Sequence, residues 1–198
     1  MFRRILGCTR MVERLGRSSG LPAVVVVGGA PATGKTTLAL PLARALELPL
    51  LSKDLMKESL MDSFGVGDLS ASQRIGGASW ELLFLVAGWL SDARTGFILE
   101  GNFERTATER LRAIAVRSRM VQITCRCSDA VRQDRYEQRS HAPNRHPGHM
   151  DGPRIARGQR PSTDFGPFEL GVPTLVVDTT DDPAPAFPDV LAFVRAGL

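Results

Sequence analysis

The stretch that decides the fold is Pro22-Ala-Val-Val-Val-Val-Gly-Gly-Ala-Pro-Ala-Thr-Gly-Lys-Thr-Thr37, near the start of the 198-residue chain. It begins with an apolar, valine-rich run, which is typical of a strand that is buried on both faces. The following residues, Gly29 to Thr36, match the phosphate-loop pattern G-x-x-x-x-G-K-S/T, and Lys35 opens a helical pattern. A buried strand, a glycine loop and a helix in this order predict a site for a nucleoside triphosphate.

Each residue type in this loop has a physical role toward a polyphosphate. Gly29 and Gly34 let the backbone wrap tightly, so that its N–H groups point inward next to the positive end of the helix. Lys35 is predicted to reach the β and γ phosphates, and Thr36 to give its hydroxyl to Mg²⁺. The predicted nucleotide-binding residues of the loop are Gly29, Ala30, Pro31, Ala32, Thr33, Gly34, Lys35, Thr36 and Thr37.

Strands and helices alternate along the rest of the chain, which predicts an α/β fold. Right-handed crossovers place helices on both faces of a parallel sheet, here of five strands. We expect one domain over residues 21–198, preceded by a basic and flexible segment over residues 1–20. The other predicted strands cover 49–52, 96–100, 120–125 and 173–178, and the predicted helices cover 35–46, a stretch from about 54, 71–93, 105–116, 129–139 and 186–195.

Composition excludes several classes of protein. With 43% hydrophobic and 23% charged residues, the chain resembles an average globular protein rather than a disordered or fibrous one. Its longest apolar runs are too short to span a bilayer, so no membrane association is expected. Cys8, Cys125 and Cys127 are odd in number and lack a second pair for a zinc site. This cysteine pattern favours a reducing, cytoplasmic location over secretion.

Basic residues are concentrated in two segments. Residues 1–20 contain five arginines against Glu13, which indicates a basic tail and leaves a transit peptide as the alternative. Residues 132–160 contain seven arginines against three acids. A local basic cluster in an otherwise acidic chain predicts an anion site, whereas a nucleic-acid track would spread over several elements. Nucleic acid is therefore a less favoured partner than a small molecule.

Carboxylates follow the predicted strands at the edge of the sheet where ligands bind. Asp54, Glu100 and Asp178 all occur at carboxyl ends of strands. Asp54 is a candidate base for an attacking hydroxyl, with a helix N-cap as the alternative. Glu100 could hold Mg²⁺ through water or orient the acceptor, and otherwise would be a solvated strand end. Asp178 is better explained by a turn.

Arginines form a stripe on the predicted helix over 129–139. Arg132, Arg135 and Arg139 are spaced i, i+3 and i+7, which places them on one face. Because Asp134 and Glu137 do not share that spacing, an external anion is the predicted partner, and a solvated surface face is the alternative. The aperiodic segment 141–172, rich in glycine and proline, is predicted to be a mobile lid, so that the whole lid region spans about 132–172.

Together these motifs resemble the small P-loop kinases, often labelled AAA-type ATPases, which are related to chloramphenicol phosphotransferase, zeta toxin and the nucleoside monophosphate kinases. The resemblance implies a sheet order of 2-3-1-4-5. It also implies that Asp54 activates the acceptor, with Glu100 and Asn102 beside it, and that Arg135 and Arg139 are lid arginines. The matching motifs are Gly29 to Thr37, Ser52-Lys53-Asp54 with Lys57-Glu58, Leu99-Glu-Gly-Asn-Phe103, Arg135 with Arg139, and Arg145-His-Pro-Gly-His149.

The leading hypothesis is Mg²⁺-dependent transfer of the γ-phosphoryl group of ATP to a hydroxyl of a small molecule, by a monomer or homodimer. Its predicted catalytic residues are Lys35, Asp54, Arg135 and Arg139, with Arg132 as a further nucleotide contact. Thr36 and Glu100 are the predicted magnesium residues. The alternatives are a nucleotide-gated switch protein with slow ATPase activity and a kinase of nucleic-acid 5′-hydroxyl groups.

Overall fold

The computed structural model describes residues 20–143, 145–158 and 165–198. Cys8 and nearly all of the predicted basic segment lie outside the described residues. Part of the predicted lid, Asn144 and residues 159–164, also lies outside them. None of the helices in the described part of the chain is long and apolar enough to cross a membrane.

Strands and helices alternate as predicted, and the structure adds several short helices. The phosphate-loop helix has the predicted bounds, while the predicted helix over 105–116 divides into a 3₁₀ turn and an α-helix. The elements in chain order are β1 (Ala23–Gly29), α1 (Lys35–Leu46), β2 (Leu50–Ser52), α2 (Lys53–Phe64), α3 (Leu69–Asp92), β3 (Phe97–Glu100), a 3₁₀ turn (Arg105–Ala107), α4 (Thr108–Ala115), β4 (Arg119–Arg126), α5 (Asp129–Ser140), a 3₁₀ turn (Pro147–His149), α6 (Asp151–Ala156), β5 (Thr174–Asp178) and α7 (Phe187–Gly197).

The sheet is parallel throughout, and its order β2-β3-β1-β4-β5 confirms the predicted fold class. The central strand β1 pairs with β3 on one side, where Val27 lies opposite Glu100, and with β4 on the other, where Gly29 lies opposite Cys125. The connections leave β1 in opposite directions at this point, which opens a crevice beyond its carboxyl end. The phosphate loop lies in that crevice.

Two apolar cores, one on each face of the sheet, hold this edge in place. Side chains alternate along a strand, so Val24 and Val26 contribute to one core and Val25 and Val27 to the other. All four valines are at most 1% exposed. The sequence prediction of a first strand buried on both faces is therefore confirmed.

The described part of segment 141–172 contains two short helical elements that the sequence analysis did not predict. They are the 3₁₀ turn Pro147–His149 and the six-residue helix α6, and the expected mobility of the lid stays a prediction. A helix of fewer than two turns is too short to show an apolar period. Gly152 and Pro153 are also poor helix formers, which concealed α6 in the sequence.

Candidate functional site

A cavity of about 1410 Å³ opens at the carboxyl edge of the sheet. Its loop half is lined by the phosphate loop, residues 31–38, and by residues 177–187 after β5. Its helix half is lined by residues 52–58 at the start of α2 and by residues 145–154 of the segment before and within α6. A pocket for one small ligand usually measures about 300–1,000 Å³, so this cavity has room for two.

The tight path of the phosphate loop explains its first glycine. Gly29 has φ 137°, a conformation that residues with a side chain rarely adopt, and a Cβ atom there would overlap the carbonyl oxygen of Cys125 on β4. Gly34 has φ 79° and forms the N-cap of α1. Gly29 is required because the loop runs directly against the neighbouring strand, whereas Gly34 is favoured by its positive φ alone.

Lys35 is folded back over the loop that precedes it. Its ammonium donates a hydrogen bond to the carbonyl oxygen of Ala30 at 2.7 Å, and Thr33 Oγ1 donates to the same oxygen at 2.8 Å. Burial lowers the pKa of Lys35, while the negative charges of Glu100 and Asp54 act in the opposite direction. The ammonium thus lies inside the loop, close to where the predicted phosphates would bind.

Glu100 is buried, at 3% exposure, and connects three elements. Its carboxylate accepts hydrogen bonds from Ser52 Oγ at 2.6 Å and from Thr36 Oγ1 at 3.3 Å, which join β2 and α1 to the end of β3. Burial raises the pKa of this carboxyl above its usual range, although the hydrogen bond from Ser52 and the charge of Lys35 oppose the shift. The alternative of a solvated strand end does not describe this residue.

The oxygens of Thr36 and Glu100 have the chemistry that Mg²⁺ requires. They are hard donors, they lie 3.3 Å apart, and they are next to the phosphate loop. The described residues contain no group of three or more His, Cys, Asp or Glu side chains arranged to hold a metal. That is compatible with magnesium, which commonly takes one or two protein oxygens and completes its shell with phosphates and water.

Asp54 lies in the first turn of α2 and faces the cavity. Its carboxylate accepts a hydrogen bond from Lys53 at 3.3 Å, and the helix N-cap is Ser52 rather than Asp54. Burial raises the pKa of Asp54, but the positive charges of Lys53, His149 and Arg145 outweigh that effect and hold it at about 2. Asp54 is therefore an ionised hydrogen-bond acceptor at every physiological pH.

The arginine stripe on α5 has two different environments. Arg135 donates to Thr179 Oγ1 at 3.1 Å and to the Thr179 carbonyl oxygen at 2.7 Å, while Thr179 Oγ1 donates to the Thr33 carbonyl oxygen. Arg135 is thereby fixed to the phosphate loop. Arg132 does not line the cavity, and it pairs at 3.1 Å with Asp129, a carboxylate partner that the sequence argument overlooked.

The buried carboxylate of Asp151 lies next to two lid arginines, Arg139 and Arg145. It accepts hydrogen bonds from Tyr136 Oη at 2.9 Å and from Arg145 Nε at 2.7 Å, and Arg139 Nε lies 3.6 Å away. Burial raises the pKa of Asp151, but the Arg145 hydrogen bond and both arginine charges outweigh it and lower the pKa overall. Arg139 Nε is buried and has no hydrogen-bond partner among the residues that the structure describes, while its guanidinium lies near Asp151 and over the Tyr136 ring.

The segment around the 3₁₀ turn Pro147–His149 is fastened to α2. His149 Nε2 lies 2.7 Å from Glu58 Oε1, and His146 Nε2 lies 3.0 Å from Asp62 Oδ1. The two histidines that the sequence placed in a lid therefore each contact a carboxylate of α2. These contacts hold residues 145–154 against α2, so that both segments line the helix half of the cavity.

The other predicted positions are also accounted for. Asn102 lines the cavity near Glu100. Asp178 accepts hydrogen bonds from the backbone N–H and hydroxyl of Thr180, which is the turn that the sequence favoured. Sequence reasoning missed Thr179 and Asp151. Thr179 was detectable as a polar residue directly after a strand, whereas Asp151 had no such signal.

Comparisons with known proteins agree on one fold. A family model described as an AAA domain matches residues 24–159. A solved structure described as a "putative kinase" from Chloroflexus aurantiacus is 35% identical, with a TM-score of 0.78 over 90% of this chain and 99% of that one. No entry among the curated proteins matches.

Two more distant structures share the fold alone. An unliganded sugar kinase from Janibacter is 18% identical, with a TM-score of 0.57 over 88% of this chain and 95% of that one. An APS kinase from Mycobacterium tuberculosis, solved with AMPPNP and APS, is 15% identical, with a TM-score of 0.56 over 90% of this chain and 98% of that one.

Proposed function

This chain belongs to the AAA domain family of P-loop proteins, and from that premise we propose that it is a kinase that transfers the γ-phosphoryl group of ATP to a hydroxyl of a small molecule. One observation carries the proposal. A single cavity large enough for two ligands joins the phosphate loop to Asp54, an ionised carboxylate that can accept a hydrogen bond from an acceptor hydroxyl. The similarity to kinase structures supports the same reaction class.

The chain's own residues account for the chemical requirements of this transfer. The loop backbone and Lys35 are proposed to hold the phosphates, and Arg135, which is bound to Thr179 beside the loop, is proposed to contact them as well. The acceptor oxygen forms a bond to the γ phosphorus while the bond from that phosphorus to the β–γ bridging oxygen breaks. Thr36 and Glu100 are the residues that would hold a magnesium ion, which would compensate the negative charge of the phosphates.

Asp54 accepts a hydrogen bond from the attacking hydroxyl and so aims its oxygen at the phosphorus. With a pKa of about 2, Asp54 is a weak base toward a free alcohol. A largely dissociative transition state needs little proton removal before the new bond forms, so an orienting acceptor is sufficient. The hydroxyl proton passes to Asp54 late in the transfer and then to solvent.

The positive charges of the lid arginines favour closure of the lid over bound ATP. Arg139 and Arg145 share one carboxylate, Asp151, in the described structure. Triphosphate oxygens offer charge-assisted hydrogen bonds that an empty site lacks, so we expect ATP to draw these arginines toward the loop and to raise amide protection over residues 145–158. Amide exchange measured without nucleotide, with ADP and with a non-hydrolysable ATP analogue tests this. Equal protection in all three states would show a static segment.

A labelled-ATP screen of hydroxyl compounds tests the kinase proposal, with two variants as controls. Lys35→Ala is expected to abolish turnover because it removes the cation on the β and γ phosphates. Asp54→Asn is expected to leave ATP binding nearly intact and to lower transfer by about 10² or more. An equal loss of binding and rate would make Asp54 structural.

The same screen separates the two alternatives from the sequence analysis. Slow hydrolysis without transfer to any acceptor would support a nucleotide-gated switch. Labelling of nucleic-acid 5′-hydroxyl ends, with binding that weakens steeply as salt rises, would support a nucleic-acid kinase.

A further inference from the structure

The lysines of this chain have an unusual distribution. The sequence contains 25 basic residues, and only Lys35, Lys53 and Lys57 are lysines. All three line the same cavity and are at most 8% exposed. Lysine is normally a surface residue, so three buried lysines facing one cavity require an explanation in terms of its contents.

Lys57 is the lysine that the proposed transfer does not use. Its side chain is 4% exposed, and its ammonium donates to Ser72 Oγ at 2.8 Å. Ser72 Oγ in turn donates to the Gly148 carbonyl oxygen at 2.8 Å, so the lysine is connected to the segment that covers it. An ammonium has three N–H donors, and this contact occupies one of them.

Lys57 forms no ion pair with a carboxylate of the described residues. Most carboxylates of the helix half already have a cation partner, and none of them pairs with Lys57 among the described residues. Arg154, which also lines the cavity, has one hydrogen bond within the described part of the chain, to the His149 carbonyl oxygen at 3.4 Å. The existing ion pairs are Asp54 with Lys53 and Asp151 with Arg145 and Arg139. Glu58 lies within hydrogen-bond distance of His149, and burial lowers the pKa of that histidine.

The electrostatics of Lys57 agree with this arrangement. The pKa of Lys57 is lowered to about 8, mainly by burial. The positive charges of Lys53 and Arg154 also lower it, and they outweigh the opposite effect of Asp54 and Asp151. A buried, hydrogen-bonded cation repelled by neighbouring cations is stabilised by an anion from outside. The position of Lys57 at the cavity wall makes that anion a ligand.

Resting on the kinase function above, we propose that the phosphoryl acceptor is itself an anion, and that Lys57 and Arg154 bind its carboxylate or phosphate group while its hydroxyl lies at Asp54. Asp54 and Lys57 are three residues apart on α2, so they are neighbours on one helix face with Cβ atoms roughly 5–6 Å apart. The acceptor therefore has a hydroxyl within a few bonds of its anionic group.

The first test measures anion binding without catalysis. The protein is saturated with AMPPNP and magnesium, which fills the phosphate loop, and inorganic phosphate, D-glycerate, glycerol 3-phosphate and glycerol are titrated by calorimetry. We expect the three anions to bind and glycerol not to bind. Whether D-glycerate or glycerol 3-phosphate binds more tightly then shows whether the site prefers a carboxylate or a phosphate group. Lys57→Met should weaken anion binding by about tenfold or more, since a charged hydrogen bond is lost.

Arg74→Met is the matched control, because it removes an exposed cation from α3 beside the cavity without removing a lining residue. Its anion affinity should stay within about twofold of the wild type, and Arg154→Met should resemble Lys57→Met. Absence of anion binding, or equal binding by wild type and Lys57→Met, would overturn the anionic acceptor.

The second test uses labelled ATP with the same compounds. Transfer to glycerate or glycerol 3-phosphate but not to glycerol is the expected result, and preferred labelling of glycerol would contradict it. If anion binding depends on Lys57 but no compound with a hydroxyl receives label, the kinase proposal fails while the anion site stands. The two proposals therefore fail in distinguishable ways.

Discussion

Replacing Lys57 by methionine should make the protein more stable at neutral pH. Lys57 is buried and charged, and its pKa falls from 10.5 in the unfolded chain to about 8 in the folded one. A pKa difference of this size corresponds to about 3 kcal/mol of folding free energy. The variant loses the hydrogen bond to Ser72, worth about 1 kcal/mol, so the expected net gain is about 2 kcal/mol.

The gain should disappear as pH rises. Below about pH 8 Lys57 is protonated in both states, and the folded state carries the full cost of burying the charge. Between pH 8 and 10.5 the folded state releases its proton first, so the wild type gains stability as pH increases. Above that range Lys57 is neutral in both states, and only the lost hydrogen bond distinguishes the variant.

Urea unfolding of both proteins at pH 7, 8, 9 and 10 measures this difference. Groups other than Lys57 titrate in both proteins, so their contributions cancel when the two free energies of unfolding are subtracted. A variant that is less stable than the wild type at pH 7, or a difference that does not change with pH, would refute the account of Lys57 as a destabilising buried cation.

Three further predictions concern other parts of the site. Gly29→Ala should lower the free energy of unfolding by about 2 kcal/mol or more, because its Cβ would overlap the Cys125 backbone, whereas Gly77→Ala, with open space around it, should be neutral or stabilising in the same urea assay. Glu100→Gln should raise the magnesium concentration needed for half-maximal activity by about tenfold, as measured by magnesium titration at saturating ATP. Asp151→Asn should leave two half-buried arginines without a carboxylate and increase amide exchange over residues 145–158, while exchange in the central strand stays unchanged.

Local sequence signals predicted the fold class and the phosphate loop of this protein well. The valine run, the glycine loop and the helix after it are short-range patterns, and each has a direct physical cause in burial or backbone conformation. The carboxylates at strand ends were also predictable in position, because the carboxyl edge of a parallel sheet collects such residues. Glu100 and Asp54 both line the cavity for this reason.

Long-range pairings were not predictable in the same way. Asp151 meets Arg139 because α6 packs against α5, and no spacing in the sequence reports that contact. Arg135 reaches Thr179 across 44 residues of chain. Patterns based on i, i+3 or i+4 spacing describe one element at a time, so partners supplied by another element remain hidden.

Because every lysine lines one cavity, reagents specific for side-chain amines modify this protein only at that cavity. Reagents that acylate or methylate side-chain amines can react only at Lys35, Lys53 and Lys57, since the remaining 22 basic residues are arginines. Reaction rates at these amines will therefore report occupancy of the cavity directly, and nucleotide or acceptor should protect different members of the set. The same confinement means that enzymatic lysine acetylation would remove a charge from the cavity and nowhere else.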